Sequence, residues 1–302
     1  MSLDLAAVRA FLAVAGTGSF TRAGEQLSLA KSRVSLLVQG LESQLGSRLL
    51  QRTTRSVRLT PDGEQFKERA ERLVAEVEEL ETLFSAPSSL KGRLRFDLPM
   101  GLARDRVIPR LPEFLAAHPH LELQVSSSDR RVDLLREGFD CVVRVGPLTD
   151  SSLQARKLGT LAMSNVASAS YVLKYGNPKT LDELAAHVVV HYSTRLDAER
   201  PAFEYQDGER SREVAMRSLI TVNNTDAYHA ACSAGLGIIQ VPRIAVLAGL
   251  ASGALVEVLP QFPCAPLPVS LVHAYGRSAP RRVRALMDWL AKVLVPHLTS
   301  AR

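Results

Sequence analysis

The chain has 302 residues, an apolar fraction of 46% and a formal net charge of +6. That length exceeds one ordinary domain and can bury a full core, no stretch nears the ~20 apolar residues that a bilayer crossing needs, and residues 1 to 20 lack the basic start and apolar run of a secretory signal. Cys141, Cys232 and Cys264 include no Cys-x-x-Cys pair, which speaks against a disulfide scaffold or zinc ribbon and for a reducing, cytoplasmic setting; Cys141 in an apolar strand and Cys232 in a helix read as core residues, the alternative being thiol sensing by one of the three.

In the first helix, Leu5, Val8, Leu12 and Ala15 recur at helical intervals and cover one face. Gly16-Thr17-Gly18-Ser19 ends it, Ser19 or Thr21 can cap the next helix, and Ala23, Leu27 and Leu29 give that helix an inward face. From Lys31 to Glu42 the apolar Val34, Leu37, Val38 and Leu41 line one side, while Lys31, Ser32, Arg33 and Ser35 gather at the N-terminal end, where a recognition helix meets base edges and phosphates. Leu49 to Thr60 reads as two short alternating runs around a polar turn, a β-wing whose guanidiniums can grip phosphates or enter a minor groove. Helices and wing in this order make a winged helix-turn-helix, with Thr21, Lys31, Ser32, Arg33, Ser35, Arg52, Thr54 and Arg55 as its DNA-facing candidates. Residues 1 to 60 carry eight Arg and Lys against three Asp and Glu, most of the cations in the reading helix and wing. That placement favours double-stranded DNA over the alternative, a helical protein-interaction domain with a basic face.

Pro61 suits the first turn of a long helix, and Phe66, Ala70, Leu73, Val77, Leu80 and Phe84 then alternate by four and three until Pro87-Ser88-Ser89 stops the pattern. This predicts a dimerising linker helix over 61–88, the alternative being a helix packed on its own domain. Its eight carboxylates against three cations keep it off DNA and leave the head as the contact surface.

Beyond Ser89 strands and helices alternate as in an α/β domain. Strands are expected over 93–98, 121–126, 141–145, 188–190, 238–240, 255–258 and 269–274, and helices over 102–117, 132–137, 227–233, after Pro242, and over 280–295. The Pro-rich stretch Pro260 to Pro268 can serve as a crossover back to a first lobe. No Gly-x-Ser-x-Gly elbow, His-Glu-x-x-His or phosphate-binding Gly-rich loop occurs, and His187 and His191 sit in a Val-rich strand without a nearby carboxylate or thiol. No enzymatic role, metal or cofactor is expected.

The head resembles the LysR-type transcriptional regulators in Gly18-Ser19-Phe20, Ala23, Val34-Ser35, Leu41-Glu42, Leu45-Gly46, Leu49-Leu50, Arg52 and Leu59-Thr60-Pro61-Asp62-Gly63. It departs from them at Gly24, where a second alanine is usual, and at Leu36, where an arginine commonly stands. The rest resembles the family's periplasmic-binding-protein-like effector domain in Gly92-Arg93-Leu94-Arg95, Leu111-Pro112-Glu113-Phe114, His118-Pro119, Val132-Asp133-Leu134, Glu137-Gly138-Phe139-Asp140, Arg144-Val145-Gly146 and Ala234-Gly235-Leu236-Gly237-Ile238.

The resemblance implies an α/β protein with three parts. These are a winged helix-turn-helix over 1–60, the linker helix over 61–88 and a two-lobed effector-binding domain over 89–302, lobe I being about 89–162 with 268–302 and lobe II about 163–267. It further implies a homodimer or dimer of dimers on an interrupted inverted repeat, responding to a small-molecule effector. Three walls are candidates for that effector: Met100 and Gly101 after the first strand, Ser127 and Ser128 after the second, and Asn224 and Thr225 before a helix. Hydroxyls, amides and free N–H groups at such ends suit a carboxylate-bearing metabolite, although turn and capping residues have the same chemistry. The rival readings are a small-molecule binding or transport component, and a DNA-binding protein whose lobes are purely structural.

Overall fold

The computed structural model describes residues 3–52, 57–81, 90–134, 136–148, 153–194, 200–208, 210–275 and 279–299. The chain forms two compact units, Met1–Ser89 and Leu90–Arg302.

In the first unit, α1 (Leu5–Thr17) begins at Asp4, whose side chain accepts the N–H of Ala6 at 2.9 Å, and ends at Gly18 with φ 63°. Its buried residues are Ala7, Val8, Ala10, Phe11, Ala13 and Val14. Leu5, Leu12 and Ala15, expected inward, are only half-buried, because α1 is packed by several helices at once and its apolar band is centred on Phe11. Helix α2 (Phe20–Leu27) is capped by Ser19, which accepts the N–H of Arg22 at 3.4 Å, and not by Thr21, which is exposed. Leu29 is exposed as well, since Ser28 at φ 56° turns the chain away from the face formed by Phe20, Ala23 and Gly24. A Cβ on Gly24 would lie 2.6 Å from the carbonyl oxygen of Leu29. The turn folds back so closely that alanine at this position would have to push it outward.

Helix α3 (Lys31–Leu45) buries Val34, Val38 and Leu41. Strands β1 (Leu50–Arg52) and β2 (Val57–Leu59) then pair antiparallel, Leu50 opposite Leu59. The carboxylate of Glu42 accepts the N–H groups of Leu49 and Leu50 at 2.8 and 3.0 Å, fastening the start of the wing to α3. Helix α4 (Pro61–Glu81) is capped by Thr60, whose Oγ1 accepts the N–H of Gly63 at 3.0 Å. A Cβ on Gly63 would stand 2.0 Å from the Leu49 oxygen, so this position admits only glycine without moving the wing. Phe66 and Val74 pack against the core of the head and Ala70 is part of it. The expected seam therefore divides: its first part belongs to the head, whereas Leu73 and Leu80 are 37% and 67% exposed. Phe84 lies outside the described residues.

The second unit runs β3 (Lys91–Leu98), α5 (Met100–Leu102), α6 (Leu111–Ala117), β4 (His120–Ser127), β5 (Cys141–Val145), β6 (Gln154–Leu161), β7 (Met163–Ser168), α7 (Ala169–Tyr175), β8 (Val188–Tyr192), β9 (Ala202–Asp207), β10 (Arg210–Ala215), β11 (Arg217–Val222), α8 (Thr225–Ser233), β12 (Ile239–Pro242), α9 (Leu247–Ala251), β13 (Leu255–Glu257), β14 (Leu267–His273) and α10 (Arg281–Leu294). A π turn over Ala103–Val107 and a tight 3-10 turn over Ile108–Arg110 join α5 to α6, where a single helix was expected. The expected helix over 132–137 is one turn: Asp133 accepts the N–H of Arg136 on its side chain at 2.9 Å and of Glu137 on its carbonyl at 2.9 Å, while Val132, Leu134 and Phe139 bury against Val142 and Val272.

The first lobe is a five-stranded sheet in the order β4-β3-β5-β14-β6. Strands β4 and β5 are parallel to β3, and β14 is antiparallel to β5 and β6. Leu94, Phe96 and Leu98 of β3 pack with Val107, Phe114 and α10 in its core. Only Ala162 separates β6 from β7, the middle strand of the second lobe's β12-β7-β13 sheet. Strand β8 continues that lobe through a parallel bridge between Val189 and Ile238, with β11 parallel beside it. The two lobes are thus joined by adjoining strands and by the return segment before β14.

Candidate functional site

On the head, Lys31, Ser32 and Arg33 are exposed at the start of α3 and Ser35 is half-buried. Ala30 precedes the helix without a side-chain cap, so the first-turn N–H groups and the two cations share one end of the helix. This is an arrangement suited to phosphate. Leu36 is 61% exposed, one helical turn beyond Ser32 and Arg33 and on their face. Thr21 is exposed on α2. Arg22 is committed elsewhere, its guanidinium donating to the carbonyl of Thr17 and tying α2 to the end of α1. Arg52 lies in β1 with its side chain outside the described residues, as are Thr54 and Arg55 altogether.

In the second unit a cavity of about 650 Å³ opens between the lobes. Of the residues expected around an effector, Gly101, Ser128 and Thr225 line it. Met100, Ser127 and Asn224 do not. The pleat turns Ser127 outward, and the side chain of Asn224 is used as the α8 cap, accepting the N–H of Ala227 at 2.9 Å. Met100 contributes through its backbone. Its N–H donates to Oδ1 of Asp129 at 3.2 Å, and the N–H of Thr225, on the other lobe, donates to Oδ2 of the same carboxylate at 2.6 Å. Asp129 therefore occupies the place expected for a ligand carboxylate. Nothing in Asp129-Arg130-Arg131 distinguishes it, by sequence, from a solvated charge run.

Beside it the two lobes are also joined by the ion pair of Arg104 with Asp226, Arg104 holding Asp105 as well at 2.7 Å. Asp97 is buried at the end of β3 and accepts the hydroxyls of Ser126 and Ser128 at 2.7 and 3.3 Å. Burial pushes its carboxyl above the ordinary range, against the opposing pull of the two serines and of Arg144. The remaining wall is largely apolar, and Tyr192 and Tyr228 meet at 5.3 Å between ring centroids. The hydroxyl of Thr225 is enclosed and has no hydrogen-bond partner among the described residues.

The thiols of Cys232 and Cys264 are pushed by burial up to about 12, and that of Cys141 is raised further, which leaves all three protonated at neutral pH. His187 is buried and shares a hydrogen bond of 3.1 Å with the Tyr171 hydroxyl, a packing role. Among the described residues no group of His, Cys, Asp and Glu is placed to hold a metal ion.

Comparison with known proteins gives a consistent result. Residues 5–64 match the model of the bacterial regulatory helix-turn-helix protein, lysR family, and residues 87–295 match that of the LysR substrate binding domain. The chain is 44% identical over 293 residues to YhjC, an HTH-type transcriptional regulator of Escherichia coli (strain K12), covering 97% of this chain and 98% of that one. It is 36% identical over 290 residues to an HTH-type transcriptional repressor of Pseudomonas aeruginosa (strain UCBPP-PA14), covering 96% and 92%. Its structure is similar to that of CrgA, a LysR-type transcriptional regulator from Neisseria meningitidis, with a TM-score of 0.60 at 29% identity and coverage of 95% and 97%.

Proposed function

The chain belongs to the LysR family of transcriptional regulators, and from that membership we propose how its parts divide the work. Residues 1–60 read DNA, 61–88 join two copies, and 89–302 sense a small molecule, with lobe I about 89–162 and 268–302 and lobe II about 163–267. The observation that carries the DNA reading is the start of α3, where exposed Lys31, Ser32 and Arg33 surround N–H groups that no side chain caps. Ser35 and Leu36 follow on the same helix and read base edges. Thr21 and the wing residues Arg52, Thr54 and Arg55 complete the contact with the backbone. Two heads held by paired linker helices would take the two halves of an interrupted inverted repeat, and pairs of dimers would extend the contact.

The effector enters the cleft lined by Gly101, Ser128 and Thr225, and closure of the lobes on it changes how the heads are presented. The protein works as a binding protein and not as a catalyst, and in the cytoplasm; among the described residues no helix is long and apolar enough to cross a membrane. Mapping the DNA bound in the native genome tests the first half of this reading: an inverted repeat under most peaks supports it, and scattered binding without a shared motif sinks it. A thermal-shift screen against metabolites tests the second, since a ligand at 100 times its dissociation constant adds about 2.7 kcal/mol. The same hits must then alter operator binding.

A further inference from the structure

Most of the charged and backbone donors that line the cleft already hold partners inside the chain, whereas the Thr225 hydroxyl and Nε of Arg106 have none among the described residues. Arg104 is paired with Asp105 and Asp226, and Arg130 with Glu137. Arg144 donates to the carbonyl of Val132 and Arg106 to that of Ile244, and Arg131 is likewise engaged. The N–H groups of Met100 and Thr225 are taken by Asp129. A ligand carboxylate that took the N–H groups of Met100 and Thr225 would have to displace Asp129, and exchanging one carboxylate for another yields little net affinity.

Asp97 is the opposite case. It is 1% exposed and lines the cavity, yet the hydroxyls of Ser126 and Ser128 both go to Oδ1, and among the described residues no donor reaches Oδ2. Arg144 and Arg130 already draw on its charge, so the group still to be met at Oδ2 is better a neutral donor than a further cation. Leu102, Leu134, Val143, Leu153, Leu161 and Tyr228 supply apolar wall to the same cavity.

We propose that the effector is an uncharged, largely apolar molecule whose hydroxyl or N–H donates to Asp97, while Asp129 supplies from within the chain the carboxylate that the cleft would otherwise take from its ligand. The inference rests on reading the cleft as the effector site. The test uses three probes of one shape, benzyl alcohol, benzylamine and benzoate, titrated calorimetrically into the full-length protein and into Asp129→Ala. The wild type should bind benzyl alcohol roughly tenfold more tightly than benzoate. In Asp129→Ala benzoate should gain by a similar factor, as the freed N–H groups of Met100 and Thr225 receive it. Asp129→Asn keeps the shape and one acceptor; it stands in if the alanine variant does not fold, and should gain benzoate affinity to a smaller degree. Benzoate equalling benzyl alcohol in the wild type, benzylamine binding best, or no gain of benzoate in either variant overturns the proposal. Failure of all three probes to bind also overturns it, while effector sensing itself is then judged by the metabolite screen, whose hits can be of any class.

Discussion

The ring of Phe66 meets that of Phe11 edge-on, with centroids 5.3 Å apart and planes inclined by 70°. Helix α4 is thereby rooted in the head over its first turns. Phe66→Ala should cost the head about 2–3 kcal/mol in stability, less than a fully buried ring because Phe66 is only half-buried. Leu80→Glu, at a position 67% exposed, should leave the melting temperature of the head unchanged and abolish dimers by placing like charges across the seam. Melting curves and sedimentation of the two variants separate these effects; a Leu80→Glu protein that sediments as the wild type would remove this end of the helix from assembly.

Arg33→Ala and Lys31→Ala should each weaken operator binding and make log K less steep in log salt by about 0.9 for each phosphate no longer neutralised. Leu36→Gln should behave differently. On the proposed reading the exposed Leu36 would meet the C5-methyl of a thymine, so this variant should lose affinity for the operator by about 1 kcal/mol with an unchanged salt slope. Binding isotherms at several salt concentrations decide, and a slope that changes with Leu36 but not with Arg33 would reverse the assignment.

Thr225 is held in place through its backbone. Its hydroxyl has no partner among the described residues, whereas its N–H is held by Asp129. Thr225→Val keeps the N–H and removes an unmatched polar atom, so stability should stay level or rise by up to about 1 kcal/mol. A fall in melting temperature by several degrees would show that the hydroxyl is hydrogen-bonded in solution.

The guanidinium of Arg130 holds the carboxyl of Glu137 down at about 2, against an ordinary 4.5. A carboxyl lowered in the folded state contributes stability fully above the unfolded value and loses it as pH falls toward the folded one. Glu137→Gln should therefore melt below the wild type at pH 5 and above, by less than about 1 kcal/mol for a pair this exposed. The gap should close as the pH approaches 2. A gap that is constant with pH would assign the effect to packing.

Much of the head was legible because its signals are local: a polar end and an apolar stripe in Lys31–Leu45, a proline at the start of α4 and a glycine where only glycine fits. The faces of α1 and α2 were less so, since Leu12 and Leu29 look as apolar as Phe11 and only the crowding of neighbouring helices decides between them. In the second unit β7 reads Met-Ser-Asn-Val-Ala-Ser, hardly a strand by composition. It is buried because its polar groups are satisfied from a distance: Asn165 donates to the carbonyls of Leu259 and Phe262 and accepts from Gln240. The β9–β10 hairpin did carry a usable signal, Asp207-Gly208 between alternating runs. The role of Asp129 carried none, because its partners Met100 and Thr225 lie far along the chain in both directions and meet only when both lobes are formed.

Strand β14, which lies between β5 and β6 in the first sheet, comes from the last part of the chain. During synthesis the ribosome therefore releases the head and then the whole second lobe while β5 still has an open edge. Such an edge is a template for pairing with another chain. The first lobe is begun early and closed last, so insertion of β14 between β5 and β6 is the step that ends the window in which nascent copies can pair wrongly.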